Sequence, residues 1–149
     1  MTTRKLRLYV AHPMITYGTA WEHECHAALQ GLLPDVELYD PARRYSSSAI
    51  WRRAWPRVLE TLSGLVVFAS FDGTIGAGCM REVLDAITWG IPVACLKEGM
   101  LHEIEGLQFL MPHQFTPWRA GRLVLGDQID AAEFLLGGQV AARPFQSIP

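Results

Sequence analysis

Along the chain, stretches of alternating or continuous apolar residues take turns with stretches of helical period. Lys5–Val10 alternates and then turns apolar, the pattern of a first strand, and Pro13 ends it. From Thr19 to about Leu33, Trp21, Cys25, Ala28 and Leu32 recur at helical spacing, and Pro34-Asp35 closes that helix. Val36–Tyr39 reads as a short second strand, ended by Asp40-Pro41. A polar, basic loop from Ala42 to Ser48 leads into a helical stretch over about Ala49–Leu62, in which Pro56 is expected to break the helix or to begin a second one. Leu65–Ala69 is continuously apolar, as in a strand buried on both faces of a parallel sheet. After the Gly-rich loop Ser70–Gly78, Met80, Val83, Leu84 and Ile87 predict a helix over about Cys79–Trp89, capped by Gly90, and Ile91–Leu96 reads as a strand. Beyond Lys97 the pattern weakens; a short strand near Leu107–Met111, a helix near Asp127–Leu136 and an extended tail from Gly137 to Pro149 are expected.

This order predicts one α/β domain over residues 1–149: a three-layer α/β/α arrangement on a mainly parallel sheet of four or five strands, flavodoxin- or Rossmann-like, with right-handed crossovers. In such sheets a ligand sits outside the carboxyl ends of the strands. Three loops are placed there: His12–Gly18, Asp40–Ser48 and Ser70–Gly78.

Composition narrows the partners. With 13 Lys+Arg against 15 Asp+Glu in 149 residues, the net charge of −2 argues against a nucleic-acid polymer. No apolar run approaches the ~18 residues of a membrane span, so no membrane partner is expected. The start of the chain lacks the pattern of a signal peptide. Three irregularly spaced cysteines (Cys25, Cys79, Cys95) fit free thiols in a reducing, cytoplasmic setting.

The strongest local feature runs from Asp72 to Glu82. Glycines between a buried strand and an amphipathic helix let backbone N–H groups approach a ligand, and the helix N-terminus favours an anion. No Lys-Ser/Thr follows the glycines, so this is not a Walker loop. Glu82, off the apolar stripe, either faces the loop cavity or only complements the helix dipole. Arg43, Arg44, Arg52, Arg53 and Arg57 gather five of the 13 basic residues; one or two can clamp a phosphate while the rest form a solvated face. Ser46, Ser47 and Ser48 offer hydroxyl donors or cap the next helix. Tyr17 is the first choice for stacking on a base, ahead of Trp51, Trp55 and Trp89. His23, Cys25 and His26, with Glu22 four residues before His26, invite a metal reading. They do not form HExxH, and no second ligand pair lies nearby in sequence, so no metal is expected. His12, at a strand end beside the expected cleft, can act as general acid or hydrogen-bond the loop backbone.

Taken in order, Leu8-Tyr-Val-Ala-His-Pro13, Tyr39-Asp-Pro-Ala42, Gly76-Ala-Gly-Cys-Met-Arg-Glu-Val-Leu-Asp-Ala86 and Gly90-Ile-Pro-Val93 resemble the nucleoside 2-deoxyribosyltransferase-like superfamily over about the first two thirds of the chain. The resemblance implies that Glu82 is the nucleophile, attacking the anomeric carbon of a nucleoside or nucleotide while the base leaves, with no cofactor. It further implies that backbone around Gly76, Gly78 and Cys79 faces the sugar 5′ end, and that the protein is a homo-oligomer whose tail, 137–149, suits exchange between subunits. The chain departs from the family where an acid or Ser is usual six residues before the nucleophile, here Gly76, and where two Asp are usual, here Pro56 and Gly64. His12 stands where Gly is common; Asp72 and Glu60 are the nearest replacement acids. The expectation is therefore cleavage of the N-glycosidic bond of a nucleoside or nucleoside 5′-monophosphate, hydrolysis more than transfer. Glu82, His12 and Asp72 would be catalytic, and Tyr17, Gly76, Gly78, Cys79, Arg52, Arg53 and Ser47 would hold the substrate. The rival is a non-catalytic nucleotide or nucleotide-sugar sensor on the same fold.

Overall fold

The computed structural model describes residues 6–12, 16–41, 47–69, 72–110, 119–137 and 146–148. The strand and helix order through Lys97 follows the hydrophobic pattern, except that the stretch read as a Gly-rich loop contains a two-residue strand. β1 (Arg7–Ala11) leads to α1 (Ala20–Leu32), β2 (Glu37–Tyr39), α2 (Ser48–Leu59), β3 (Gly64–Phe68), a two-residue β4 (Thr74–Ile75), α3 (Ala77–Thr88) and β5 (Val93–Lys97). Then come β6 (Met100–Phe109), β7 (Gly121–Gln128), α4 (Ala131–Gly137) and β8 (Gln146–Ile148).

The fold class is α/β, but the sheet is larger and only partly parallel. Among the described residues it has eight strands in the order β2-β1-β3-β5-β6-β7-β4, with β8 beside β6. The β2, β1, β3 and β5 pairings are parallel, the β5–β6, β6–β7 and β7–β4 pairings are antiparallel, and β8 runs parallel to β6. The direction reverses at a two-residue hairpin in which Glu98 (φ 52°) and Gly99 (φ 77°) are both left-handed. That geometry matches the right-handed twist of the flanking strands and pairs Lys97 with Met100. β6 is therefore a ten-residue strand that begins well before the short strand expected near Leu107. Residues up to Gln128 of the expected last helix are strand β7 instead. In the tail, Gln146–Ile148 is extended and pairs in parallel with β6; positions 138–145 and 149 lie outside the described residues.

Alternation along the parallel strands sends side chains to two separate cores. Tyr9, Ala11, Tyr39, Leu65 and Val67 pack with Trp55, Val58 and Leu59 of α2 and with Met80, Val83 and Ala86 of α3. Leu8, Val10, Val66 and Phe68 pack with Leu29 and Leu33 near α1 and with Phe134 of α4. Helix α1 thus covers one face, and α2 and α3 cover the other, so the winding reverses between β1 and β3. A ligand crevice opens at such a reversal, outside the carboxyl ends of the strands.

Helix α2 runs unbroken through Pro56, contrary to expectation. A proline removes the bond to the carbonyl four residues earlier, that of Arg52. Both Arg52 and Pro56 are exposed, so solvent can serve that carbonyl. Phe134 is fully buried, whereas Phe109 is 49% exposed. Phe134→Ala should therefore lower stability by roughly 3–5 kcal/mol in a denaturant titration, while Phe109→Ala should stay within about 0.5 kcal/mol of wild type.

Candidate active site

Two polar groups sit back to back across β1, placed by its alternation. On the α2/α3 side, the Tyr9 hydroxyl donates to Oε2 of Glu82. Glu82 lies in the second turn of α3 and is 7% exposed. A role in complementing the helix dipole needs no burial, so that bland reading does not account for it. Burial pushes the Glu82 carboxyl up to about 8; the Tyr9 bond opposes the rise, and the Asp40 and Asp85 charges add to it. The Tyr9 phenol is raised by its own burial and by the Glu82 charge. Aromatic rings hold Tyr9 in place: Trp51 stacks on it with centroids 5.4 Å apart, Trp55 lies at 5.0 Å, and Tyr39 at 6.2 Å. The Trp55 indole N–H is bonded to Asp85 at 2.9 Å.

On the α1 side, His12 and His26 both place Nε2 against Oδ2 of Asp40, at 2.8 and 2.7 Å. Nδ1 of His12 meets the Thr16 hydroxyl at 2.8 Å. Both His12 ring nitrogens are thus held by side chains, not by the loop backbone, and the ring is 3% exposed. The structure thus places His12 in a buried side-chain network with Asp40 and Thr16. Tyr17 joins the two halves. It is half-buried and edge-on to His12 at 4.8 Å, and its phenol is raised by burial first, then by the Glu82 and Asp40 charges.

The other expected site residues divide. Gly76 is the buried N-cap of α3, Gly78 is exposed on the first turn, and Cys79 is buried with its thiol raised by burial and by Glu82. These lie on the turn that leads to Glu82. Asp72 does not act there: Oδ1 accepts from the Thr74 N–H and hydroxyl, and Oδ2 pairs with Arg119 at 2.9 Å. Ser47 caps α2, accepting from the Ile50 N–H at 3.2 Å. Arg52 and Arg53 are exposed on α2, and Trp89 is exposed too. Arg43, Arg44 and Ser46 lie outside the described residues.

Tyr9, His26 and Asp40 were not anticipated in these roles. A signal for Asp40 existed: His12 and Asp40 each directly follow a neighbouring parallel strand, in phase with the α1 face. A separate cleft of about 610 Å³ lies by the ends of β3 and β5, lined by Trp21, Cys25, Asp72, Cys95 and Lys97 among others. Burial pushes its Cys25 and Cys95 thiols up to about 11 and about 12, which leaves them protonated and unreactive at neutral pH. No helix among the described residues is long and apolar enough to cross a membrane.

No protein-family model and no curated protein matches the chain. A solved structure of a conserved protein from Enterococcus faecalis V583 is similar with a TM-score of 0.51 at 19% identity, over 76% of this chain and 69% of that one. At that identity the likeness shows the α/β fold alone.

The raised Glu82 carboxyl has a consequence for stability. Its folded value lies above the ordinary 4.5, so folding favours the protonated form. Its contribution is full below pH 4.5 and is lost as pH rises through about 8. Wild type should therefore lose on the order of a few kcal/mol across that window relative to Glu82→Gln, read as diverging midpoints in denaturant titrations at pH 5 and about pH 8.

Proposed function

We propose that the protein cleaves the N-glycosidic bond of a nucleoside or nucleoside 5′-monophosphate, with Glu82 as nucleophile and water, more than a second base, as acceptor. The observation that carries this reading is the buried Glu82 carboxylate held by the Tyr9 hydroxyl beneath the carboxyl ends of the parallel strands. A buried carboxylate in a fixed rotamer can trap an oxocarbenium-like centre, because it meets the developing positive charge in a low dielectric. Tyr9 is a positioning residue that holds one oxygen and leaves the other for the anomeric carbon. Tyr17, beside His12, and Trp51, stacked on Tyr9, are rings that suit a base, and the α3 N-terminus at Gly76–Gly78 suits the 5′ end of the sugar. The resemblance of the strand-end and Gly-loop motifs to nucleoside 2-deoxyribosyltransferases supports the same chemistry.

One observation favours the rival of a binding module. A carboxyl raised to about 8 is mostly neutral at pH 7 and then donates a hydrogen bond instead of attacking carbon. The pH profile separates the two.

Incubation with a panel of nucleosides and 5′-monophosphates, followed by chromatography for free base, should show release that climbs from pH 6 to a plateau above about pH 8. Glu82→Ala should lower it by about a thousandfold or more. Tyr9→Phe removes the donor that opposes the raised carboxyl, so its profile should move to higher pH with a lower rate at pH 7. Tight binding with no base release at any pH would overturn the enzyme in favour of the sensor.

A further inference from the structure

His12, Glu22, His26 and Asp40 come from three separate places: the end of β1, the first turns of α1 and the end of β2. All four are buried, and one ligating atom from each lies within 4.8 Å of every other. We propose that this cluster is a binding site for one divalent transition-metal ion of the zinc type, ligated by Nε2 of His12, Nε2 of His26, Oδ2 of Asp40 and Oε1 of Glu22.

The spacing supports four-coordination. Bonds of about 2.0–2.2 Å in a tetrahedron set ligand atoms roughly 3.3–3.6 Å apart. Three of the six separations bracket that value, at 2.8 Å for His12 to Asp40, 2.7 Å for His26 to Asp40 and 4.0 Å for His26 to Glu22, and the other three lie within 4.8 Å. The donor set selects the ion: two imidazoles with two carboxylates suit zinc and its neighbours, whereas calcium and magnesium prefer oxygen alone.

The outer atoms of the ligands supply a second, independent observation. Metal-binding histidines and carboxylates are held from behind by partners that fix their orientation. Here the Thr16 hydroxyl holds Nδ1 of His12, which turns Nε2 inward. The Gly18 N–H donates to Oε2 of Glu22 at 2.5 Å, which leaves Oε1 on the side of His26. Gly18 is left-handed at φ 76°, the conformation that aims its N–H at Glu22. Both supports come from the single turn Thr16–Thr19 that precedes α1. Phe68 forms an apolar floor, 5.7 Å from the His12 ring and 5.5 Å from that of His26. Such an ion would pin the ends of β1 and β2 to the start of α1.

The full-length chain, stripped with a chelator and dialysed, should be titrated with Zn²⁺ and with Co²⁺ and assayed by elemental analysis and visible absorption. The expected result is a single equivalent of zinc and the intense visible bands of four-coordinate cobalt. His26→Ala and Asp40→Asn should each weaken zinc by at least about a hundredfold, and Thr16→Val, which keeps every ligand, by roughly tenfold. His23→Ala, an exposed neighbour on α1, should leave affinity unchanged. Glu82→Gln should also retain the zinc, so this site stands or falls separately from the glycosidic reading. If the ligand variants fail to fold, wild-type cobalt bands and Thr16→Val still decide. Wild-type uptake below about a tenth of an equivalent, or the weak bands of six-coordinate cobalt, would overturn the proposal. Loss of binding in His23→Ala with retention in Thr16→Val would do the same.

Discussion

The constraint on which the rest of the molecule depends is the burial of β1 between β2 and β3, with a helical layer on each face. A strand so placed has no solvent side, so each successive residue must find a partner in one core or the other. Tyr9 looks to α3 and His12 to α1. The polar groups of these two side chains are what make Glu82 and Asp40 tolerable inside. Without Tyr9 the carboxyl on α3 would lose the hydroxyl that donates to it, and without His12 the end of β2 would carry a buried acid with one imidazole fewer.

Burying a carboxyl costs several kcal/mol unless hydrogen bonds replace water. Among the described residues every buried side-chain nitrogen or oxygen has a partner. Yet Glu82 remains raised to about 8, because one phenol donor does not compensate for complete burial beside two further acids. Apolar side chains at positions 9 and 82 would fill the same space at lower cost. A carboxyl retained at such a cost is the feature on which the glycosidic proposal draws.

How much of this was legible in the sequence follows range. Local periodicity places β1, β2, β3 and β5 and the intervening helices, because apolar spacing reports directly on which face is buried; the two-residue β4 falls in a stretch read as a loop. The Asp72–Glu82 stretch and His12 stand out for the same reason: they interrupt an apolar pattern where strands end. Capping chemistry at Ser47 and the Asx turn at Asp72 are also local, but polar loop residues read equally well as ligand donors until their partners are seen. The hairpin at Glu98-Gly99 lacks the Asn-Gly signature of its turn type, so the antiparallel half of the sheet stayed hidden. Pro56 misleads because the cost of its missing hydrogen bond depends on exposure, which periodicity does not reveal.

The His12–Asp40–His26 cluster is the instructive failure. Glu22 and His26 sit one helical turn apart and suggest half of a site, but the other half lies on two strand ends that are adjacent only because the strands are parallel neighbours. Register supplies the missing step: Arg7 pairs with Glu37 and Tyr9 with Tyr39. The residues just past β1 and β2 therefore emerge side by side under α1. The same adjacency joins the cluster to Glu82 electrostatically, since the Asp40 charge acts across β1 on the Glu82 carboxyl. Anything that neutralises Asp40, a proton or a cation, eases ionisation of Glu82. The two faces of one buried strand are thus a single electrostatic unit, although their side chains belong to separate cores.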